Sequence, residues 1–595
     1  MELHSLTNTN ANLQEKMRYF SDYFVFANEY LGRLPDLPYD NPHTLVNKII
    51  FQLENNIEKC PVYIDSYFVQ LKLFFEDYMR KKVPGYDKVE AAYADFSVID
   101  DWKCQVKWLK KDTSLLTSLQ QITIGLEDAL FANVYSWLIQ YIQCPHELSV
   151  HQKDIHFCTQ LLVSFFRSNG HSSEQVARYI RRILSKSRYD FPLPPEIIEH
   201  EKNETYPSIA AQFLKNRDFV KQFEGFKNLF SNQRTRAGYF VFVIPQVLIA
   251  EELQTTFKTT IDRVSFISPD HPLLATLKKQ VAERATPYNK LYEKFFGPNK
   301  LLAYLKMNYE QKEYVLEWGF RIINDELAYL NYHLDQPRSL ADKSFLFVDD
   351  FASESWNGQE HFMAPLVHVN AYTAEWINDN PFEYLRDVHF GGKEQFLHNE
   401  RTFLAAEAKD DISLYWQYIE NLFWFQEDSS KDIHIKFVNL IMKDMERIHG
   451  PFLLQIGTLF TQAYINNVSE GLTIDKATTD LIRTELGDKH NLAFDIEKYL
   501  SSIQHPFLKE IFQKYIHLKS ATATAEWIQY LSWLALELKE FRNADLHSGR
   551  VNQFSRYKLK DLVPALMNKA RWITTEACKN GEGLNYKEII EKLTN

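Results

Sequence analysis

A chain of 595 residues is several times the usual domain size, so roughly two to four domains are expected. Its 45% apolar and 14% aromatic content can fill large cores, and only 18 glycines and 21 prolines argue against disorder and against a glycine-rich nucleotide fold. A formal net charge of −11 excludes nonspecific coating of nucleic acid, so any RNA or DNA contact must come from a local basic patch.

The first residues, MELHSLTNTNANLQEKM, have neither the basic start nor the apolar run of a signal peptide. From about residue 12 to 145 the pattern is helical. In 65–83, for example, Phe68, Leu71, Phe74 and Phe75 recur at three- and four-residue steps. A break is expected around Pro145, then the apolar run 155–166, a stop at Gly170 and a capping box from Ser172 to Gln175. Arg167 and His171 stand one residue closer than the arginine–histidine pair described below, and a helix–helix junction accounts for them. The proline-rich stretch 189–197 is a connection.

The middle third changes character. Runs 238–245, 264–267, 344–351 and 366–372 are short and rich in β-branched and aromatic residues, which predicts strands of a small sheet. The longest apolar run, 239–250, is much shorter than the roughly 20 residues of a membrane-spanning helix. From about residue 395 the pattern is helical again. The expected fold class is therefore mainly α and multi-domain: an N-terminal helical domain over 1–145, a helical connector over 146–200, a mixed α/β region over 201–392, and a helical bundle over 393–595.

Five scattered cysteines (Cys60, Cys104, Cys144, Cys158, Cys578) form no disulfide framework, and the chain reads as soluble and cytoplasmic with no membrane partner. Cys144, His146, His151, His156 and Cys158 lie close together but match no common zinc spacing. Asp349 and Asp350 follow a strand pattern and read as turn residues. The segment 389–393, HFGGK, lacks the spacing of a phosphate-binding loop, and no G-x-S-x-G or dinucleotide fingerprint occurs. No metal and no cofactor are expected.

The chemistry concentrates in 538-LKEFRNADLHSGR-550. Trp527, Tyr530, Leu531, Leu534, Leu538 and Phe541 form one apolar helix face leading into it, and Asn543, Asp545, Ser548 and Gly549 offer a place to end or kink that helix. Without a kink, Arg542 and His547 lie about 140° apart on the helix. A histidine near neutral pKa can move the protons that RNA cleavage requires, and a guanidinium can hold the phosphate oxygens as charge develops. One copy offers one histidine, so two copies across a two-fold axis would complete a metal-independent site. Lys539, Arg550, Arg556, Lys558 and Lys560 make this corner basic in sequence and are the candidate RNA-binding residues. An arginine and a histidine at a helix C-terminus can equally serve the helix dipole, and both readings stand on the residues alone.

The string 542-RNADLHSG-549 resembles the R-N-x-x-x-H signature of HEPN-domain ribonucleases, and most of all the Apea-like HEPN branch. In that branch an upstream helix carries leucine-tryptophan-x-x-x-glutamate-x-leucine. Here 413-SLYWQYIENLFWF-425 places Trp416 and Glu420 similarly, with Tyr415 interposed after Leu414. The resemblance covers roughly the last 200 residues. It implies a HEPN helical bundle that pairs as a homodimer, with Arg542 and His547 catalytic, Asn543 orienting them and Glu420 in support. It implies an endoribonuclease acting on RNA, such as tRNA, in anti-phage defence, abortive infection or a toxin system. The N-terminal region would then be a sensor answering a phage-derived or protein trigger. The alternative is a noncatalytic HEPN module for dimerisation or RNA binding.

Overall fold

The computed structural model describes residues 11–55, 60–75, 85–99, 101–173, 219–231, 236–245, 264–267, 300–309, 345–349, 393–409, 411–423, 433–443, 506–518, 520–548, 550–579 and 584–594, with isolated positions between 83 and 183. The fold is mainly α. In chain order the helices are α1 (Ala11–Tyr30), α2 (Pro42–Asn55), α3 (Cys60–Phe74), α4 (Tyr86–Ser97), α5 (Trp102–Lys111), α6 (Ser114–Thr123), α7 (Leu126–Gln143), α8 (Leu148–Ser168) and α9 (Phe219–Ser231). Strands β1 (Arg236–Pro245), β2 (Val264–Ile267), β3 (Lys300–Tyr309) and β4 (Phe345–Asp349) follow. Then come α10 (Lys393–Lys409), α11 (Ile412–Phe423), α12 (Ile433–Met442), α13 (Pro506–Leu518), α14 (Ala521–Ser548), α15 (Gln553–Lys579) and α16 (Tyr586–Thr594). No helix among the described residues is long and apolar enough to cross a membrane.

Two compact units result: Met1–Lys227 with Pro381–Asn595, and Asn228–Asn380. The second contains one antiparallel sheet of order β2-β3-β1-β4. Three of its strands fall where short runs rich in β-branched and aromatic residues predict them. β3, KLLAYLKMNY, does not: leucine, lysine and methionine favour helix locally, and pairing with β1 over ten positions, from Arg236↔Tyr309 to Pro245↔Lys300, overrides that preference. The expected strand at 366–372 lies outside the described residues.

In the first unit, side-chain caps fix where several helices begin. Asp411 Oδ1 accepts the Ser413 N–H (2.9 Å) ahead of α11, and Asn552 Oδ1 accepts from Phe554 and Ser555 (3.0 and 3.1 Å) ahead of α15. Ser520 Oγ does the same for α14 through the Ala523 N–H (3.1 Å). Helices from both ends of the sequence pack together: α1 on α13, α2 and α8 on α15, and α3 on α14. The turn after α1 receives two of them. Gly32 has φ 71°, and a Cβ there would lie 2.9 Å from Leu562 Cδ1 and 3.0 Å from Tyr39 Cβ. Its carbonyl accepts the Tyr530 hydroxyl of α14, so the close approach requires glycine.

Beside this turn lies a closed ring of buried charges. Lys48 of α2 pairs with Asp40 (2.7 Å) and with Glu537 of α14, while Lys558 of α15 pairs with Asp40 (2.7 Å) and Glu537 (2.9 Å). Burial alone would raise the Asp40 and Glu537 carboxyls, but Lys48 and Lys558 outweigh it and hold both below their usual range. Two acids and two lysines leave the ring neutral. Glu540, one turn along α14, adds a third buried carboxyl. Gln52 of α2 hydrogen-bonds it, its Oε1 has no partner among the described residues, and burial with repulsion from Glu537 pushes it up to about 7.

Two outcomes follow from these groups. Lys558→Met leaves Asp40 and Glu537 each short of a cation in a buried setting, and urea unfolding should show a loss of about 3–5 kcal/mol. Glu540 holds its proton more tightly folded than unfolded. Its contribution is therefore complete below pH 4.5 and is lost as pH rises through about 7, a swing of about 3 kcal/mol. Stability measured from pH 5 to 8 should fall more steeply for the wild type than for Glu540→Gln, whose amide cannot ionise.

Candidate active site

The apolar face read from the sequence is the buried face of α14: Trp527, Tyr530, Leu531, Leu534, Leu538 and Phe541 are all buried. The helix continues without a break through Arg542 and Asn543 to Ser548, so no kink turns position 547 towards 542. The two positions stay about 140° apart around the axis, and position 547 falls on the side that carries Glu540. The side chain of His547 lies outside the described residues.

Arg542 is half-buried and faces α11. Its Nη2 donates to Glu420 Oε2 (3.1 Å) and its Nη1 to Asn543 Oδ1 (3.2 Å). Glu420 is held in turn, since Trp416 Nε1, one helical turn earlier, donates to its Oε1 (2.9 Å). Trp416, Glu420, Arg542 and Asn543 therefore form one chain of contacts, although 122 residues separate Glu420 from Arg542. Two of the five guanidinium N–H groups are engaged this way, and the others have no partner among the described residues. A second tie lies nearer the start of α11, where Ser413 Oγ donates to Asp545 Oδ2 (2.8 Å). Two ties between the same pair of helices fix the rotation of the last turns of α14. The motif spacing did not reveal this bond of Asp545, which lies between Arg542 and His547.

The bundle around this contact is well packed. Tyr415, Trp416, Tyr418, Ile419, Leu422 and Phe423 of α11 are buried. Arg571 of α15 grips Glu400 of α10 with Nε (2.9 Å) and Nη2 (2.7 Å) and lies 4.8 Å above the Phe403 ring.

The basic corner read from the sequence is not one surface. Lys558 must be corrected: it is 3% exposed and bound to Asp40 and Glu537, so it belongs to the buried ring and is not available to RNA. Lys560 is mostly covered, and burial pushes its amine down to about 8. Lys539 and Arg556 are half-buried, each with interactions of its own, and Arg550 is exposed.

The other clusters are absorbed by packing. His156 hydrogen-bonds Tyr19 and stacks on Tyr23 at 3.8 Å, burial holding it near 3, and His151 Nδ1 lies 3.5 Å from Asp154. Cys158 is buried, and the Cys144 carbonyl accepts from Lys16 Nζ (2.6 Å). Among the described residues no group of three or more His, Cys, Asp or Glu is arranged to hold a metal ion. Arg167 pairs with Asp561 at the helix junction marked by Gly170. Asp349 ends β4, and Asp350 and 389–392 lie outside the described residues. No protein-family model, curated protein or solved structure matches this chain.

The Arg542–Glu420 pair is partly open to water, with side-chain exposures of 25% and 32%, so solvent screens it. A double-mutant cycle with Arg542→Gln and Glu420→Gln should give a stability coupling of about 0.5–1 kcal/mol, diminishing with added salt.

Proposed function

We propose that this protein is a metal-independent endoribonuclease of the HEPN type, whose reactive groups are Arg542 and His547. The observation that carries the reading is the contact between Glu420 and Arg542. The tryptophan–glutamate segment and the arginine–asparagine segment, each read as a landmark in the sequence, meet in space through their polar residues. A bundle with no use for the motif has no need to hold its arginine between Glu420 and Asn543.

In this reading His547 accepts the proton of the ribose 2′-OH, or returns one to the departing 5′-oxygen. Arg542 holds the phosphate oxygens through its remaining N–H groups while charge develops. The products are a 2′,3′-cyclic phosphate and a 5′-hydroxyl. Because α14 is continuous, one chain presents Arg542 and position 547 on different sides, and a second copy supplies the complement. The RNA, with tRNA as a candidate, is cut in a defence or toxin setting, and the N-terminal helices that pack on α14 serve as sensor and restraint.

Burial of Lys558 favours the second reading, a noncatalytic dimerisation or RNA-binding scaffold, because it removes a cation from the expected RNA surface.

Purified wild type, Arg542→Ala and His547→Ala, matched for folding and oligomeric size, should be incubated with total cellular RNA and excess chelator. Wild type alone should cut, leaving 2′,3′-cyclic phosphate ends, and each variant should lose at least about a hundredfold in rate. Equal cutting by wild type and both variants would remove these residues from the chemistry. No cutting by wild type, in buffer or in phage-infected extract, would favour the scaffold.

A further inference from the structure

Helix α5, WKCQVKWLKK, is a local reversal of charge on an acidic chain. It carries Lys103, Lys107, Lys110 and Lys111 and no Asp or Glu. All four lysines are exposed. At about 100° per residue they lie within a stripe roughly 100° wide, and Lys103, Lys107 and Lys111 climb it at about 6 Å per step. No carboxylate among the described residues stands at ion-pair distance from these three.

The acids that flank the helix are held by hydrogen bonds at its ends, although Asp101 also feels the charges of Lys103 and Lys107. Asp101 accepts the Lys103 N–H (3.1 Å) and the Cys104 thiol (3.3 Å), while Asp112 accepts the Ser114 N–H (2.8 Å) at the start of α6. Both cap helices. The opposite face of α5 is already used, since Val106 and Leu109 are buried in the protein. Among the described side chains of α5 no apolar face is therefore left to enter a lipid surface, which argues against an amphipathic membrane anchor. Trp108 borders the lysines, half-buried, with its ring 5.8 Å from Phe96. A row of cations beside a flat aromatic suits a single-stranded polyanion with stackable bases.

Position in the fold links this stripe to the candidate active site. α5 packs on α3, and α3 packs on α14. Tyr63 and Tyr67 of α3 both feel the charge of Glu540, two residues before Arg542.

We propose that the lysine stripe of α5 is a docking track for the phosphate backbone of single-stranded RNA. The inference rests on the reading of RNA as the ligand and deepens it, naming a binding surface apart from the basic corner at 539–560.

The test is fluorescence anisotropy of a labelled 20-nucleotide 2′-O-methyl RNA, which cannot be cleaved, titrated with full-length protein at 50–400 mM salt. Wild type is compared with the triple variant Lys103→Gln, Lys107→Gln, Lys111→Gln, after both show the same melting temperature. Loss of three phosphate contacts should weaken binding about 100-fold at 0.1 M salt and lower the slope of log K against log salt by about 2. Absence of wild-type binding, or an unchanged affinity and slope in the variant, overturns the proposal. So does variant-sensitive binding to phosphatidylserine vesicles with RNA binding unaltered, which assigns the stripe to a membrane. Lysine-dependent binding with no cleavage of ordinary RNA, in buffer or in phage-infected extract, would sustain the track while favouring the scaffold over the nuclease.

Discussion

The interaction on which the unit depends is the buried ring of Asp40, Lys48, Glu537 and Lys558. Its members are drawn from the turn before α2, from α2 itself, from α14 and from α15, with Lys558 lying 518 residues from Asp40. Taking four charges out of water costs several kcal/mol per ion, and their mutual attraction offsets that only when each finds partners. An apolar filling of similar volume would avoid that desolvation, whereas removing any one member leaves an opposite charge in the core short of a partner. The ring brings the two ends of the sequence into one core.

The same helix carries this constraint to the candidate chemistry. Along α14, Glu537 and Glu540 face the N-terminal helices, whereas Arg542 and Asp545 face α11. The position of His547 returns towards the first of these sides. The arginine–histidine motif thus straddles a rod gripped on one side by α2 and α3 and on the other by Ser413 and Glu420.

Much of this was legible locally. The apolar faces of α3 and α14 follow from spacing, because burial on one side imposes its period on the sequence, while α8 and three strands follow from the composition of short apolar runs. Arg542, Asn543 and Glu420 were also legible as types at spacings. The sharing of a core by the two ends was not, since the signal is one lysine and one acid in each half, each indistinguishable from a solvated surface residue. Lys558 shows the limit: its neighbours Arg556 and Lys560 suggest a basic face, yet a helix turns each of them to a different environment. β3 was missed for a related reason, its local preference being overruled by a partner strand. Asp545 was legible only as a residue of low helix propensity, and nothing in its spacing signalled the bond to Ser413.

The dependence of the motif helix on the buried ring can be measured directly by hydrogen–deuterium exchange in the wild type and in Lys48→Met. That substitution removes a cation from α2, far from the motif in sequence. Protection should fall not only in 42–55 but also in 537–548 and 412–423, the three segments opening together as one cooperative group. If exchange quickens in 42–55 while 537–548 and 412–423 keep their wild-type protection, the N-terminal helices do not hold the motif helix, and the account fails.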